Sequence, residues 1–182
     1  MKKPGLDFSH LLKLKNDDNK ENLISRYFED NCLTCSMIEK KHIGHEFSPV
    51  ILPVEEGRLK FLAKTLGMTQ GIYTDPDAAV AAGLPGLLAP PTYPFVLEID
   101  ALELVDLVNL LGETLGKLLH GEENFTYHGP IYAGDEITVR KKITDIIDKK
   151  EGTLQFVISH TEFINQHYEK VAETLTNYVF RH

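Results

Sequence analysis

The side chains best suited to ligating a metal or acting as nucleophiles gather in one short stretch. Cys32 and Cys35 are the two cysteines of the chain, spaced as Cys-Leu-Thr-Cys, and His42 and His45 follow them. Four such ligands can hold a structural zinc, but sites of this type usually have a longer spacer between the two ligand pairs. A thioredoxin-like redox pair would need a preceding strand and a βαβ context, which this polar segment lacks. We therefore predict two unpaired thiols, no metal site and no cofactor.

Proton transfer needs imidazole or carboxyl groups, and two histidines lie near strand-like segments. His120 and His128 are the candidates for an acid or a base. Their carboxylate partners would be Asp75, Asp77 or Glu98. A histidine in a strand or turn is more often part of a hydrogen-bonded structure than a catalyst. We favour the structural interpretation and keep the catalytic one open.

Length and charge limit the classes of protein to consider. The chain has 182 residues, enough for one domain plus an extension. Its 19 basic and 27 acidic residues give a net charge of −8, which repels phosphodiester backbones and anionic membranes. The sequence Met-Lys-Lys at the start precedes no apolar run, and no segment reaches the roughly 20 apolar residues of a membrane span. We expect a cytosolic protein without nucleic-acid or membrane partners.

The chain divides by composition into an extension and a domain. Residues 1–41 are polar and rich in charge, and we predict an N-terminal extension there, followed by one domain over residues 42–182. Residues 55–66 have helical spacing, and Gly67 stands where that helix would end. Asp75-Pro76 is typical of an N-cap followed by proline in the first turn of a short helix, which Gly83 would end.

The middle of the chain contains its most apolar run. Residues 67–92 are too rich in Gly and Pro to form a regular strand or one long helix. Residues 95–99 are ambiguous between a strand and a helix. Over residues 102–119 we predict one apolar helix, because its polar residues recur three apart and form a single narrow wet stripe. The carboxylates Glu122-Glu123 after it, and Lys149-Lys150 further on, are interpreted as solvated turn charges.

The last third of the chain predicts strands. Residues 124–128, 136–147, 153–165 and 169–180 are rich in Ile, Val, Thr, Phe and Tyr and are separated by turn residues. Ile137, Val139 and Ile143 alternate with polar residues, so one face there is buried and the other wet. Helices followed by an antiparallel meander indicate an α+β fold, with the apolar helix packed on a long antiparallel sheet.

Three groups of residues carry a resemblance to a known family. They are Ile43-Gly-His-Glu-Phe, then Asp75-Pro76 through Pro90-Pro91-Thr92-Tyr93-Pro94, then His120-Gly121-Glu122 through Tyr127-His128-Gly129-Pro130 to Ala133-Gly134-Asp135. With them, residues 43–181 resemble the MaoC-like, R-specific enoyl-thioester hydratase and 3-hydroxyacyl-thioester dehydratase family, in particular its FAS1-like N-terminal branch. The resemblance implies a hot-dog fold, in which a curved antiparallel sheet wraps around a central helix. It also implies substrates that are acyl chains carried by coenzyme A or acyl carrier protein.

The chain departs from that family at the residues that do the chemistry. Active members have Gly-Asp-x-Asn-Pro-x-His, followed by Asp-Pro, and aligning Asp75-Pro76 places Met68 on the catalytic aspartate and Tyr73 on the catalytic histidine. A methionine cannot ionise, and a tyrosine with an ordinary pKa of about 10 is a poor base. Pro91 stands where the family has the glycine whose amide polarises the thioester carbonyl, and proline has no N–H to donate.

The resemblance implies a substrate-binding subunit without its own catalytic pair. Some family members are heterodimers in which one half carries the Asp and His and the degenerate half holds the acyl tail. On that hypothesis the substrate-binding residues of this chain are Tyr73, Pro90, Thr92, Phe95 and Leu97. Tyr73 could donate to the thioester carbonyl or only fill the volume of the missing imidazole, and a single apolar helix residue is more often core than channel.

Two alternatives stay open beside this hypothesis. One is a homodimeric hydratase or thioesterase that uses relocated residues. The other is an acyl-binding module without turnover. We expect a homodimer, or a heterodimer with a catalytic hot-dog subunit, because a lone hot-dog would expose a sheet edge and a broad apolar face.

Overall fold

The computed structural model describes residues 37–182. Its helices are α1 (Glu56–Thr65), α2 (Gly71–Thr74), α3 (Pro76–Ala81), α4 (Tyr93–Ala101) and α5 (Leu104–Leu111). Its strands are β1 (Val50–Pro53), β2 (Leu118–Tyr127), β3 (Glu136–Lys149), β4 (Leu154–Ile164) and β5 (Lys170–Arg181). Single 3-10 turns occur at Lys40–His42, Leu115–Lys117 and Lys150–Gly152. The predictions for Cys32, Cys35 and residues 1–36 of the extension lie outside the described residues.

The strands form one antiparallel sheet in the order β1-β3-β4-β5-β2. The predicted meander of β3, β4 and β5 is confirmed, and β1 and β2 are the two edges of the sheet in the part of the chain described. Helix α4 packs on this sheet against β1, β3 and β5. The predicted α+β arrangement is therefore confirmed. No helix among residues 37–182 is both long and apolar enough to cross a membrane.

The short helix α3 begins as its sequence predicts. The Asp75 carboxylate accepts a hydrogen bond from the Asp77 amide at 3.0 Å, and Pro76 occupies the first turn. Gly83 follows the helix with a φ of +80°, a conformation that costs glycine little. This helix fixes the direction of the chain between α2 and the loop that leads into α4.

The helix predicted over residues 102–119 is wrong in its bounds. Helix α4 already covers the ambiguous residues 95–99 and ends at Ala101, Leu102 is extended, and α5 ends at Leu111. Strand β2 begins at Leu118, inside the predicted helix. Neither Leu102 nor Glu103 is a strong helix breaker, so tertiary packing decides the break. Leu97 of α4 is packed in one apolar cluster, and Leu102 turns the chain towards another.

Residues 37–182 form two apolar clusters rather than one. The first cluster includes Leu59, Tyr93, Leu97, Ile131, Ile137, Val139, Phe163, Val171 and Ala172. The second cluster includes Leu107, Val108, Leu111, Ile143, Ile146, Val157, Tyr178 and Phe180. Between them, the inner face of the sheet presents polar side chains on three neighbouring strands. We call the following six buried residues the polar band: Glu98, Lys141, Ser159, Thr161, Thr174 and Thr176.

The polar band follows directly from strand register. On β3, Lys141 has the same parity as the inward-facing Val139 and Ile143, so regular alternation turns it inward too. Its cross-strand partner is Thr161, and the partner of Thr161 is Thr174. These side chains therefore form a row across the sheet, and α4 adds Glu98 from above.

Candidate functional site

A cavity of about 360 Å³ opens where the glycine- and proline-rich stretch meets the end of β2. Tyr73 comes from α2, Pro91 from the loop before α4, and Tyr127 is the last residue of β2. The other lining residues are Leu88, Ala89, Gly129, Pro130 and Ile131. Its volume lies within the usual range for small-molecule sites, of about 300–1,000 Å³.

Backbone hydrogen bonds hold the walls of this cavity in place. The amide of Leu88 donates to the carbonyl of Ile72 at 2.9 Å, and the amide of Ala89 donates to the carbonyl of Ile131 at 2.8 Å. The hydroxyl of Tyr127 donates to the carbonyl of Pro91 at 2.6 Å and so ties β2 to the loop before α4. The loop between α3 and α4, residues 82–92, is thereby held on one side by α2 and on the other by Ile131 and β2.

The cavity can hold an apolar group but offers little for proton transfer. Among the described residues that line it, no side chain is a carboxylate or an imidazole, and the only ionisable groups are the phenols of Tyr73 and Tyr127. Burial raises the pKa of Tyr127, which keeps that phenol protonated. Pro91 contributes a carbonyl, which Tyr127 already occupies, and no amide N–H.

The structure brings together only part of the residue set that the resemblance implies. Tyr73 and Pro91 face the same cavity, whereas Met68 follows α1 with its amide bonded to the Ala63 carbonyl at 2.9 Å and does not line the cavity. Pro90 is buried and Thr92 exposed, and neither lines the cavity.

The two residues proposed inside α4 have different surroundings. Leu97 is fully buried in the first apolar cluster. Phe95 is partly buried, and its ring centroid lies 5.1 Å from that of His120 on β2. Their roles in holding an acyl tail stay predictions.

A buried ion pair forms the centre of the polar band. The Lys141 ammonium donates to Glu98 at 2.6 Å and to the Tyr178 hydroxyl at 2.7 Å, and the side chains of the pair are only 5% and 2% exposed. Thr174 donates to the other Glu98 oxygen at 2.5 Å and Thr176 to the first at 2.9 Å. Every charged group of the pair is therefore hydrogen-bonded within the protein.

These contacts set the charge state of the pair. Burial raises the pKa of Glu98, but the Lys141 ammonium and the threonine hydroxyls outweigh it and hold that pKa below its ordinary value. Burial and the carboxylates nearby raise the pKa of Tyr178 strongly, so its phenol stays protonated. Glu98 is consequently a carboxylate and Lys141 its counter-ion.

The polar band continues into β2 through Glu123, where the sequence interpretation is wrong. Glu122 and Glu123 lie within a strand rather than a turn, and the Glu123 side chain is 8% exposed. Its carboxyl contacts His120 Nε2 at 3.0 Å and Thr176 at 3.2 Å. Glu122 alone is exposed, because the strand turns it to the outer face.

Glu123 and His120 meet because β2 has a bulge. The register with β5 shifts between His120 and Glu122, so the extra residue Gly121 puts two side chains three positions apart on the same face. A Cβ on Gly121 would lie 2.8 Å from the Val179 side chain and 3.0 Å from the Asn177 carbonyl oxygen, so a larger residue would fit here only if the neighbouring side chain and backbone moved.

Glu123 holds its proton more tightly than an ordinary glutamate. Burial and the Glu98 charge raise the pKa of Glu123, against the opposing contacts of His120 and Thr176. The Thr176 hydroxyl has one hydrogen and lies within hydrogen-bond distance of both carboxyls. A proton on Glu123 satisfies both contacts, because Thr176 then donates to Glu98 and accepts from Glu123.

The second histidine lies in a different place. His128 contacts Glu173 at 3.2 Å, and Glu173 also accepts from His160 and Lys170. His128 lines a second cavity, of about 540 Å³, which shares Gly129 and Pro130 with the first. Of the carboxylates predicted to partner the histidines, Glu98 shares the Thr176 hydroxyl with Glu123, which itself contacts His120. Asp75 and Asp77 contact each other at the start of α3 and contact neither histidine. Among residues 37–182 no group of three or more His, Cys, Asp and Glu is arranged to hold a metal.

Sequence reasoning missed several residues of the cavity and of the polar band. A signal existed for Lys141, whose parity on β3 matches the buried residues around it. Gly121 inside a strand is a known bulge signal and could have placed Glu123 inward. Tyr127 gave no signal of its own, because its contact to Pro91 joins residues far apart in the chain.

Comparison with known proteins identifies a family and a fold to which this chain is similar. Residues 41–174 match the family described as FAS1-like, dehydratase domain region. A protein of Streptomyces avermitilis named UPF0336 protein is 34% identical over 111 residues, which cover 60% of this chain and 73% of that protein.

Solved structures share the fold. The truncated HadBC complex of Mycobacterium tuberculosis, described as a 3R-hydroxyacyl-ACP dehydratase, superposes with a TM-score of 0.65 and 19% identity over 76% of this chain and 96% of that one. The ChsH1–ChsH2 complex of the same organism superposes with a TM-score of 0.60 and 22% identity, over 75% of this chain and 88% of that one. The MaoC-like dehydratase of Rhodospirillum rubrum superposes with a TM-score of 0.59 and 20% identity, over 77% of this chain and 93% of that one. At these identities the likeness shows the fold, and the hot-dog fold is confirmed.

Proposed function

Because this chain belongs to the FAS1-like dehydratase family of MaoC-like hot-dog proteins, we propose that it binds fatty acyl thioesters as the catalytically degenerate subunit of a 3-hydroxyacyl-thioester dehydratase. The acyl group, carried by coenzyme A or acyl carrier protein, occupies the cavity beside Tyr73. A second hot-dog chain supplies the acid and the base. The reaction of the assembly is the removal of water from a 3-hydroxyacyl thioester, or its addition to the enoyl thioester.

One observation carries this proposal. The described lining of the 360 Å³ cavity is apolar, with phenols in place of carboxylate and imidazole. Loss of a general base costs about 10²- to 10⁴-fold in rate, and loss of one oxyanion donor costs about 10²- to 10³-fold. A site with neither group binds its ligand without efficient turnover.

A catalytic partner also fits the comparisons. HadBC and ChsH1–ChsH2 are complexes, and both share the fold of this chain. Strand β2 is an edge of the sheet and has exposed apolar side chains at Leu119 and Tyr127, which are 50% and 52% exposed. Such an edge is suited to contact with another chain.

The test is hydration of crotonyl-CoA by the purified chain, alone and mixed with a hot-dog subunit that carries the intact Asp and His pair. We expect no turnover above background alone, binding of the acyl thioester by calorimetry, and hydration by the mixture at a rate above that of the partner alone. Robust turnover by the chain alone, abolished in Tyr73→Phe or His120→Ala, would contradict the proposal. Binding without any gain on mixing would favour an acyl-binding module.

A second candidate function is a homodimeric hydratase or thioesterase with relocated residues. The contact of His120 with the buried Glu123 favours it, since a histidine oriented by a carboxyl group is a common acid–base arrangement. Against it, neither residue lines the cavity. Its signature would be turnover by the chain alone that His120→Ala and Glu123→Gln both reduce by at least 10²-fold while Tyr73→Phe does not.

A further inference from the structure

The second cavity, of about 540 Å³, differs in chemistry from the cavity beside Tyr73. Its walls come from the segment after β2, from the hairpin that joins β4 to β5, and from the first residues of β5. The side chains on these walls are mostly polar, whereas the lining of the first cavity is mostly apolar. A ligand that enters the second cavity is therefore recognised by hydrogen bonds rather than by apolar contact.

The two cavities are neighbours on one face of the chain. Leu88 and Tyr132 are partners in a short antiparallel bridge, and partners across such a bridge point to the same side. Leu88 lines the first cavity and Tyr132 lines the second. Pro130, which precedes Tyr132 by two residues, lines both cavities, as does Gly129. The two spaces therefore meet at Gly129 and Pro130.

The carboxylates of the second cavity are engaged by the protein itself. Asp135 accepts hydrogen bonds from the Tyr132 amide at 2.8 Å and from the Gln166 side chain at 2.9 Å. Glu169 accepts from the Asn165 side chain at 3.0 Å. The bond between Gln166 and Asp135 joins the hairpin to the loop before β3. We therefore assign these carboxylates to holding the wall of the cavity.

The ammonium group of the second cavity is neutralised as well. Lys170 pairs with Glu162 at 2.8 Å and with Glu173 at 3.1 Å. Hydrogen bonds from Lys170 and His160 lower the pKa of Glu173 to about 2, so this counter-charge persists at neutral pH. An anionic ligand such as phosphate would have to compete with two carboxylates for Lys170. The lining thus favours an uncharged ligand.

The polar groups that remain for a ligand are a hydroxyl and two imidazoles. Tyr132 is half-buried, and its hydroxyl makes no hydrogen bond among the described residues. The His167 ring has one contact, at 3.5 Å to the Gln166 side chain, a distance at which a hydrogen bond is weak. His128 uses one ring nitrogen on a carboxylate and has a second. Such groups can donate and accept, which suits the amides and hydroxyls of a polar chain.

We propose that the second cavity binds the pantetheine arm, the polar chain of amides and hydroxyls through which coenzyme A and acyl carrier protein both carry an acyl group. The inference rests on the proposed function, since it places the acyl group in the cavity beside Tyr73. An apolar tail favours the apolar cavity and a polar arm favours the hydrogen-bonding one. The thioester then lies where the cavities meet, at Gly129 and Pro130. The carrier leaves along the hairpin between β4 and β5.

The first experiment uses the purified wild-type chain and compares two butanoyl thioesters by NMR titration. Butanoyl-pantetheine has the whole arm, and S-ethyl butanethioate has the same acyl group and thioester without it. Each net hydrogen bond to the arm increases affinity about 2- to 12-fold. We expect butanoyl-pantetheine to bind at least about 10-fold more tightly, through several such bonds. Equal affinities for the two esters would overturn the inference.

The second experiment locates the arm with Tyr132→Phe and His167→Ala. Each variant should weaken binding of butanoyl-pantetheine by about 2- to 12-fold and leave binding of S-ethyl butanethioate unchanged. The matched control is Tyr168→Phe, which makes the same change on the hairpin at a residue that is 93% exposed and does not line the cavity. Wild-type affinity in both cavity variants, or an equal loss in the control, would contradict the inference.

Failure of this inference is distinguishable from failure of the proposed function. Absence of binding for both esters would refute acyl binding itself and with it the role of the second cavity. Binding of both with one affinity refutes only the second cavity, and this comparison needs no variant to fold. Butanoyl-CoA and butanoyl-acyl carrier protein separate the two sources of the arm, since Tyr132→Phe should weaken the carrier that the chain accepts. A variant that is folded by circular dichroism and weakens neither carrier would overturn the inference.

Discussion

The cavity beside Tyr73 and the polar band differ in where they place ionisable groups. Such groups are usually found in accessible sites rather than in the core, and here the reverse holds. The cavity is open to ligands, and its described lining contains only two phenols as ionisable groups. The polar band is closed, yet it holds a carboxylate, an ammonium group and a row of hydroxyls. Glu98, Glu123 and Tyr178, whose pKa values are shifted from their ordinary ranges, lie away from this cavity, and the cavity lining has been left apolar.

This difference shows what a shifted pKa indicates. Carboxyl groups with perturbed pKa values in a cleft are candidates for catalysis, but structural ion-pair networks perturb pKa values as well. The carboxyl groups Glu98 and Glu123 are both strongly buried, and neither lines the cavity. Accessibility to substrate, rather than the size or sign of the shift, separates the two regions.

The largest expected effect is in the polar band. Lys141→Met leaves the Glu98 carboxylate buried without its counter-ion, and we expect a loss of about 3–5 kcal/mol in the free energy of unfolding. Lys142→Met is the matched control, since Lys142 is the exposed neighbour paired with Glu46 and should change stability by at most about 1 kcal/mol. Urea unfolding followed by circular dichroism measures both. Equal losses in the two variants would mean that burial of the pair is immaterial.

The next largest effect is expected at the hydrogen bond that joins the cavity wall to the sheet. Tyr127→Phe removes the hydrogen bond to the Pro91 carbonyl, and we expect a loss of about 0.5–1.5 kcal/mol in the free energy of unfolding. Tyr132→Phe provides the comparison, because the Tyr132 side chain makes no hydrogen bond among the described residues. A loss that is the same in both variants would show that the contact to Pro91 contributes nothing.

A smaller effect, a gain in stability rather than a loss, is expected when Glu123 beside the polar band is replaced. The raised pKa of Glu123 means that the folded state holds this proton more tightly than the unfolded state does. Its contribution to stability is therefore full below the ordinary value of 4.5 and is lost as pH rises from there through the raised pKa.

Glu123→Gln, which cannot ionise, should consequently match the wild type below about pH 4.5 and melt at a higher temperature at pH 7. Thermal unfolding across this pH range measures the difference. A Glu123→Gln variant that is less stable than the wild type at pH 7, and equally so at pH 4, would contradict the assignment of a raised pKa.

The smallest effect is expected in the cavity itself. No side-chain hydrogen bond of the Tyr73 hydroxyl is present within residues 37–182, so Tyr73→Phe should change the free energy of unfolding by no more than about 0.5 kcal/mol. Turnover by the mixed assembly should also be unchanged. A fall in that turnover with stability intact would assign the Tyr73 hydroxyl a direct contact with the thioester.

Sequence patterns predicted the parts of the fold that depend on local chemistry. The Asp75-Pro76 cap and the alternation of Ile137, Val139 and Ile143 involve neighbours in sequence, and both are confirmed. The family resemblance then predicted the fold. It also predicted that Tyr73 and Pro91 lie at one site, and both line the same cavity. Their role in substrate binding stays a prediction.

The remaining features depend on contacts between distant segments. The break at Leu102 follows from the position of two apolar clusters, which periodicity cannot show. The ion pair joins residues 43 positions apart, and a lysine in a strand is ordinarily a surface residue. The polar band could be predicted only if the inward or outward position of a residue in its strand were given more weight than its polarity.

The Gly121 bulge has a consequence for the edge formed by β2. A regular edge strand presents an unbroken row of amide and carbonyl groups, which any extended segment can extend into a larger sheet. The bulge divides this row at Gly121 into runs of unequal length and shifts their phase relative to each other. An incoming strand must match one run only, or have its own irregularity at the same level. The residue that brings Glu123 inward thus also protects the molecule against indiscriminate aggregation along its edge.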